Sequence, residues 1–273
     1  MNSRVFFLAW FAAGVAAVPS SGLAADLPAP SAPVSQIVTR PAGYDWTGFY
    51  LGGNVGGNVT SNYNADTQAN TTFPAPMDNS GLVPTTLDTG TGGLIGGVQA
   101  GYNYQLGKFI AGAETDIEAL QAGGGSNWTS ASTLLGSTFT TKASERLDYL
   151  GTLRLRAGYA PFDRWLVFGT GGLAYGGVRT SESVTMNGAP ANQWNGASDQ
   201  VRTGYAFGGG LEYAWSQSII LRGEYLYYNL GSTNIATTPS ASAQANPALA
   251  GLVYVTKTTV AGSILRLGVD YKF

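Results

Sequence analysis

From Trp46 onward, apolar and polar positions alternate with period two. Across 93–106, Leu94, Gly96, Val98, Ala100, Tyr102, Tyr104 and Leu106 alternate with Ile95, Gly97, Gln99, Gly101, Asn103 and Gln105. One face is apolar and aromatic; the other carries amides. Residues 147–160 repeat the pattern, with Leu147, Tyr149, Gly151, Leu153, Leu155, Ala157 and Tyr159 against Asp148, Thr152, Arg154, Arg156 and Gly158. The last residues do so again, with Leu265, Leu267, Val269, Tyr271 and Phe273 against Arg266, Gly268, Asp270 and Lys272. A helix would space its apolar positions near 3.6 residues, which these segments do not. The pattern predicts eight strands, at about 47–58, 93–106, 109–119, 147–160, 165–176, 203–214, 219–230 and 263–273. Tight turns at 107–108, 161–164 and 215–218 alternate with long stretches near 59–92, 120–146, 177–202 and 231–262. Short turns at one end and long loops at the other are the pattern of outer-membrane barrels. The expected fold is all-β, an eight-stranded antiparallel transmembrane β-barrel with both termini at the short-turn, periplasmic end. Strands six and eight are expected to extend above the membrane, since 252–260 keeps β-type residues.

Composition sharpens this picture. Charged residues make up 11% of the 273 residues, less than half the roughly 25% of an ordinary soluble domain. No apolar run approaches the roughly 18 residues that a membrane-spanning helix needs. A chain that is apolar in lipid without apolar runs must alternate, and a closed barrel does so with every backbone group paired. Residues 1–24 read as a signal peptide: Arg4 begins it, an apolar stretch follows, and Gly22-Leu23-Ala24 offers the cut, with Ala25 as the alternative end. Residues 25–45 read as a Pro-rich periplasmic linker holding Pro28, Pro30, Pro33 and Pro41, and 46–273 as the barrel.

Charge obeys the same parity. Within the predicted strands, Glu114, Asp116, Glu118, Asp148, Arg154, Arg156, Glu212, Arg222, Glu224, Arg266, Asp270 and Lys272 all fall opposite the apolar face. A barrel demands this, because charge facing lipid costs roughly 2–4 kcal/mol at the midplane. A soluble antiparallel sandwich also alternates, so parity alone does not separate the two. The leader, the terminal Phe273 and the aromatic placement favour the barrel. Trp46, Phe49, Tyr104, Phe109, Tyr159, Trp165, Tyr213, Tyr271 and Phe273 gather near the periplasmic ends, and Tyr149, Tyr175, Tyr225 and Tyr227 nearer the outer ends, as two interface belts would. The inward charges predict a lumen salt-bridge network. Glu114, Asp116 and Glu118 face Arg154 and Arg156, and Arg222, Glu224 and Arg266 form a second cluster across strands seven and eight.

With no Cys and no His, a Ser-His dyad, a Cys nucleophile and a His-ligated metal are all unavailable. Glu114, Asp116 and Glu118 as paired acids or calcium ligands would form a linear ladder beside arginines, which suits neither task. Gly90-Thr91-Gly92-Gly93-Leu94-Ile95 lacks the third glycine of a dinucleotide motif and precedes a strand. No enzyme activity, cofactor or metal is expected. Removing Arg4 with the leader takes the net charge from −2 to −3, so there is no basic field for nucleic acid.

Asp45-Trp46-Thr47-Gly48-Phe49-Tyr50-Leu51-Gly52-Gly53-Asn54 resembles the opening strand of small alphaproteobacterial outer-membrane barrel proteins, the porin-family or opacity-type proteins. The resemblance continues in Arg154-Leu155-Arg156-Ala157-Gly158-Tyr159, Gly208-Gly209-Gly210-Leu211-Glu212-Tyr213, Glu224-Tyr225-Leu226-Tyr227-Tyr228 and residues 266–273. Ala24-Ala25-Asp26-Leu27-Pro28 is similar to that family's mature start. It implies outer-membrane localisation and insertion by the barrel-assembly machinery, with Tyr271 and Phe273 matching the C-terminal aromatic signal. Roles in the family vary, so function transfers poorly. Because side chains nearly fill an eight-stranded bore, the leading reading is a structural surface protein with four long extracellular loops for adhesion or ligand contact. The alternative is a porin-like channel for small solutes. Membrane lipids and lipopolysaccharide are the expected partners, and a homo-oligomer is left open.

Overall fold

The computed structural model describes residues 43–59, 64–69, 87–88, 92–132, 137–187, 192–247, 249 and 251–273. The predicted leader and most of the linker lie outside them. The strands are β1 (Gly48–Val59), β2 (Asn64–Ala69), β3 (Leu87–Asp88), β4 (Gly92–Leu106), β5 (Phe109–Ser132), β6 (Ser137–Phe162), β7 (Trp165–Asn187), β8 (Asn192–Ala214), β9 (Ile219–Ala236), β10 (Thr238–Pro239) and β11 (Tyr254–Lys272), with one short helix, α1 (Ala241–Ala245). Eight of them form an antiparallel ring in the order β1-β4-β5-β6-β7-β8-β9-β11, and β11 returns to β1 from Tyr50↔Lys272 to Val59↔Ser263. Every wall strand therefore has two partners over its lower part, and no backbone edge is left open there.

The two faces of the wall settle the choice between barrel and sandwich. Leu94 and Leu155 are 76% and 73% exposed, and Phe49, Val55, Leu265 and Phe273 also face outward. The arginines and carboxylates of the same strands are buried. A soluble sandwich would invert this arrangement, whereas an apolar exterior of such extent suits lipid. Two glycines seat the outer aromatics: a Cβ on Gly151 would collide with the Tyr175 ring, and one on Gly177 with the Tyr149 ring.

Several strands run beyond the predicted limits. Residues 120–146 and 177–202 are not long loops. β5 continues to Ser132 and β6 starts at Ser137, while β7 continues to Asn187 and β8 starts at Asn192. Two of the four expected loops are thus mostly strand, and β11 likewise extends upward, starting at Tyr254. The extensions were disguised by β-bulges, one between Ala119 and Ala122 and one between Leu147 and Tyr149. A bulge inserts one residue and reverses the inward parity above it. On β6 the buried side chains are even from Leu150 to Arg156 and odd from Phe139 to Leu147. Asp148 sits at the change. Against expectation it leaves the lumen and bridges Arg146 at 3.0 Å and Arg179 at 3.1 Å on the outer side.

The bore is filled in layers, and the inward residues of β7 sample each. At the short-turn end, Leu166 and Phe168 join Tyr44, Trp46, Ile110, Ala160, Ala214 and Ile220. Trp46 is therefore a plug residue, 1% exposed, and not part of an interface belt. Its backbone N–H donates to Gln105 Oε1 at 2.7 Å, and its ring meets Tyr44 edge-on at 4.7 Å. Gly172 lies opposite Arg154 in an ionic layer. Ala174 and Val178 belong to an apolar layer with Ile95, Leu120, Leu147, Leu150, Leu226, Tyr228 and Ile264. Thr180 and Glu182 mark an upper polar layer, and Val184 enters an apolar cap with Phe139, Trp194, Leu252 and Tyr254.

Candidate functional site

The ionic layer is the largest chemical feature of the bore. Its positions follow from strand register: β5 places Glu114 opposite Arg154 of β6, and β9 places Glu224 opposite Arg266 of β11. All eight residues predicted to line the lumen are buried there: Glu114, Asp116, Glu118, Arg154, Arg156, Arg222, Glu224 and Arg266. Arg154 Nη2 lies 2.6 Å from both Glu114 Oε1 and Asp116 Oδ2, and its Nη1 bonds Glu224 across the bore. Arg266 Nη2 reaches Asp116 at 2.9 Å and Glu224 at 2.7 Å, while its Nη1 bonds Glu118. Arg222 Nη1 lies 2.5 Å from Glu114 Oε2. These cross-links correct the expectation of two clusters: the narrow bore joins them into one.

Two further carboxylates complete it. Glu212 takes Arg156 at 2.7 Å and Arg222 at 2.9 Å, and Asp270 takes Arg222 at 3.0 Å. Both had inward parity in the sequence but were left out of the predicted network. Tyr50 was missed too. Its hydroxyl donates to Glu114 Oε2 at 2.5 Å and accepts from Arg156 Nη1 at 2.8 Å. Its even position, opposite in parity to Phe49 and Leu51, was the available signal. Gln99 donates to Asp270 at 2.7 Å and accepts from Asn54 at 2.5 Å. The Arg156 guanidinium also stands 4.2 Å from the Phe168 ring centroid, so the ionic layer rests directly on the apolar plug at the short-turn end.

Four guanidiniums thus face six carboxylates with side chains at most 2% exposed. Charges so buried persist only when paired and hydrogen-bonded. Chemically the layer is a cross-brace. Each carboxylate is bound to arginine, and among the described residues no three His, Cys, Asp or Glu side chains are grouped to hold a metal ion.

The upper polar layer is sparser and lies above the exposed charges Arg146, Asp148, Arg179 and Asp199, outside the apolar band. Arg202 Nη1 is 3.9 Å from Glu145 Oε1, and Thr180 donates to Glu145 at 3.4 Å. Burial pushes the Glu145 carboxyl up to about 7, with Arg202 opposing in part. Glu182 accepts from Thr67 Oγ1 at 3.2 Å, and burial raises its carboxyl as well, against hydrogen bonds from Thr256 and Thr67. None of these residues was singled out in the sequence, because their segments read as loops.

At the opposite end, Tyr271 and Phe273 face outward, with ring centroids 5.2 Å apart and planes nearly perpendicular. The Phe273 backbone N–H donates to Phe49 O at 3.0 Å, fastening the C-terminus to the first strand.

The family model for the outer membrane protein beta-barrel domain matches residues 23–273. The 31 kDa outer-membrane immunogenic protein of Brucella melitensis biotype 1 is 32% identical over 257 residues, covering 93% of this chain and 94% of that protein. The 22 kDa outer membrane protein of Rhizobium leguminosarum bv. viciae is 30% identical over 194 residues, covering 69% and 65%. Among solved structures, OprG from Pseudomonas aeruginosa aligns with a TM-score of 0.50 at 14% identity, covering 85% of this chain and 98% of that one, a likeness of fold. The chain belongs to the outer-membrane β-barrel protein family, and its relatives are alphaproteobacterial, as the motifs of its strands imply.

Proposed function

We propose that this outer-membrane barrel is a closed structural anchor that presents its extended outer hairpins at the cell surface, and that it is neither an open channel nor an enzyme. The observation that carries this reading is the layering of the bore. Two polar layers alternate with three apolar ones, so a hydrated ion would have to shed its water to pass Trp46 and Leu166, then Leu150 and Leu226, then Trp194 and Leu252. The ionic layer adds cross-links at the level where a conducting bore would need free charge. Similarity to proteins named as outer-membrane immunogens supports presentation at the surface. On this reading the termini lie in the periplasm, residues 1–24 are removed on export, and Tyr271 and Phe273 serve the assembly machinery. The outward apolar band meets membrane lipid, with lipopolysaccharide beside the outer charges.

Single-channel recording on the mature protein, residues 25–273, in planar bilayers tests the reading, with heat-modifiable gel mobility reporting the folded barrel. The expected record is a folded protein with no discrete conductance. Reproducible steps whose ion selectivity shifts in Glu114→Gln would instead establish the porin-like channel.

A further inference from the structure

Glu182 stands apart among the buried carboxylates because, among the described residues, no arginine or lysine pairs with it, whereas the others each have an arginine. It is 4% exposed, and its Oε2 has no hydrogen-bond partner. Its Oε1 is held by the hydroxyl of Thr67, which in turn lies 3.0 Å from the hydroxyl of Thr256. Thr67 is on β2 and Thr256 on β11, and β2 pairs with β11 from Ala65↔Thr258 to Ala69↔Tyr254. Neither strand is a sheet neighbour of β7, since β8 and β9 separate β7 from β11 along the wall. The Glu182–Thr67 contact therefore spans the upper bore rather than running along the sheet. One inward step higher, Val184 enters the apolar cap with Trp194 and Tyr254.

The charged and titratable groups around it, among the described residues, are few. β6 contributes Glu145, and β8 contributes Arg202, which pairs with Glu145 at 3.9 Å and donates to Thr258 of β11 at 3.1 Å. β2 and β11 offer hydroxyls, and the cap above offers Val184, Trp194, Leu252 and Tyr254. Lys142 and Arg179 face outward. No described cation forms an ion pair with Glu182, so an ionised Glu182 is a buried charge with hydroxyls for company.

We propose that Glu182 is a proton-controlled tie across the outer end of the bore, holding β2 and the upper part of β11 against β7 when its carboxyl is neutral and releasing them when it ionises. In the neutral form the carboxyl fits a layer of hydroxyls beneath an apolar cap. In the ionised form it must gain water, and the nearest route is to part the Thr67 contact and admit solvent beneath the cap. Desolvation places this change above the ordinary carboxylate range. The outer end is then tight in acid and loosens as pH rises, while the ionic layer below stays closed.

Hydrogen–deuterium exchange on the folded mature barrel in lipid, read on peptides covering 64–69 and 254–258, tests the tie. After correction for the intrinsic pH dependence of exchange, protection should fall at least about tenfold between pH 5 and pH 8. In Glu182→Gln, which keeps a neutral amide at the same place, protection should stay high and flat. Thr67→Val should lower protection at pH 5 toward the alkaline value of the unaltered protein. A flat profile in the unaltered protein overturns the proposal, and so does an equal fall in Glu182→Gln. Neither result bears on bilayer conductance, so the closed-anchor reading stands or falls separately.

Discussion

Glu114 and Glu182 are both buried glutamates pointing into the same bore, and they are stabilised in opposite ways. Glu114 lies within ion-pairing distance of Arg154, Arg156 and Arg222 and accepts from Tyr50. Glu182, in the upper layer, has hydroxyls. At membrane level, charge is met by charge, and the result is a rigid brace whose members cannot be removed singly. Beyond the apolar band, a carboxyl is buried with hydroxyls instead of a described cation, and on the proposal above it responds to pH. One wall thus carries an inert segment and a responsive one, separated by the apolar layer around Leu150 and Leu226.

The sharpest way to break this contrast is to unbalance the brace. Arg154→Met removes the cation shared by Glu114, Asp116 and Glu224 and should destabilise the barrel by about 3–5 kcal/mol. Urea unfolding in detergent, followed by loss of heat-modifiable mobility, measures it. The double variant Arg154→Met/Glu224→Gln should recover part of the loss, because less charge is then left unpaired. Second in size is the pH dependence of the upper layer. The Glu145 carboxyl is raised to about 7 in the folded protein, so the folded state binds the proton more tightly than the unfolded chain. Its contribution is complete below about pH 4.5 and is lost as pH rises through about 7, an effect on the order of 2 kcal/mol. Glu145→Gln should flatten that part of the unfolding profile between pH 5 and 8. The smallest effect belongs to the outer face. Asp148→Asn removes a carboxylate shared by Arg146 and Arg179, both more than half exposed, and should shift stability by no more than about 1 kcal/mol. A larger loss in the same unfolding assay would mean that the bulge at Asp148, and not its ion pairs, carries the site.

Much of the lower barrel was legible because lipid imposes a strict parity on each strand. Leu153 and Leu155 outward fix Arg154 and Arg156 inward, and antiparallel register then brings Glu114 to Arg154. Trp46 obeys the same rule, sharing the even parity of Tyr50, yet an aromatic near a strand end also suits an interface belt, so its sequence position fits both places. The upper barrel was harder for a physical reason. Beyond the apolar band the outward face carries Ser144, Ser181 and Arg179 instead of leucine, so alternation loses its contrast. The bulge at Asp148 then reverses its phase. With both signals weakened, Glu145, Glu182 and Arg202 read as loop residues. The joining of the two charge clusters was out of reach for another reason: contacts across the bore depend on its width, which no single strand reports.

The barrel is closed by its two terminal strands, and that closure sets a timetable. Tyr50 meets Lys272 only when the last residues of the chain arrive, and the same strand delivers Arg266 and Asp270. Until then Asp116, Glu118 and Glu224 lack Arg266, and Arg222 lacks Asp270. The brace is therefore incomplete until β11 seats. A chain ending before Arg266 lacks the part of β11 that pairs with Tyr50–Gly56 and the arginine that joins Asp116, Glu118 and Glu224, so three buried carboxylates lose a cation at once. So long a sequence separation also makes closure slow. The assembling barrel must keep those carboxylates in water until β11 seats, and the ion pairs then form together.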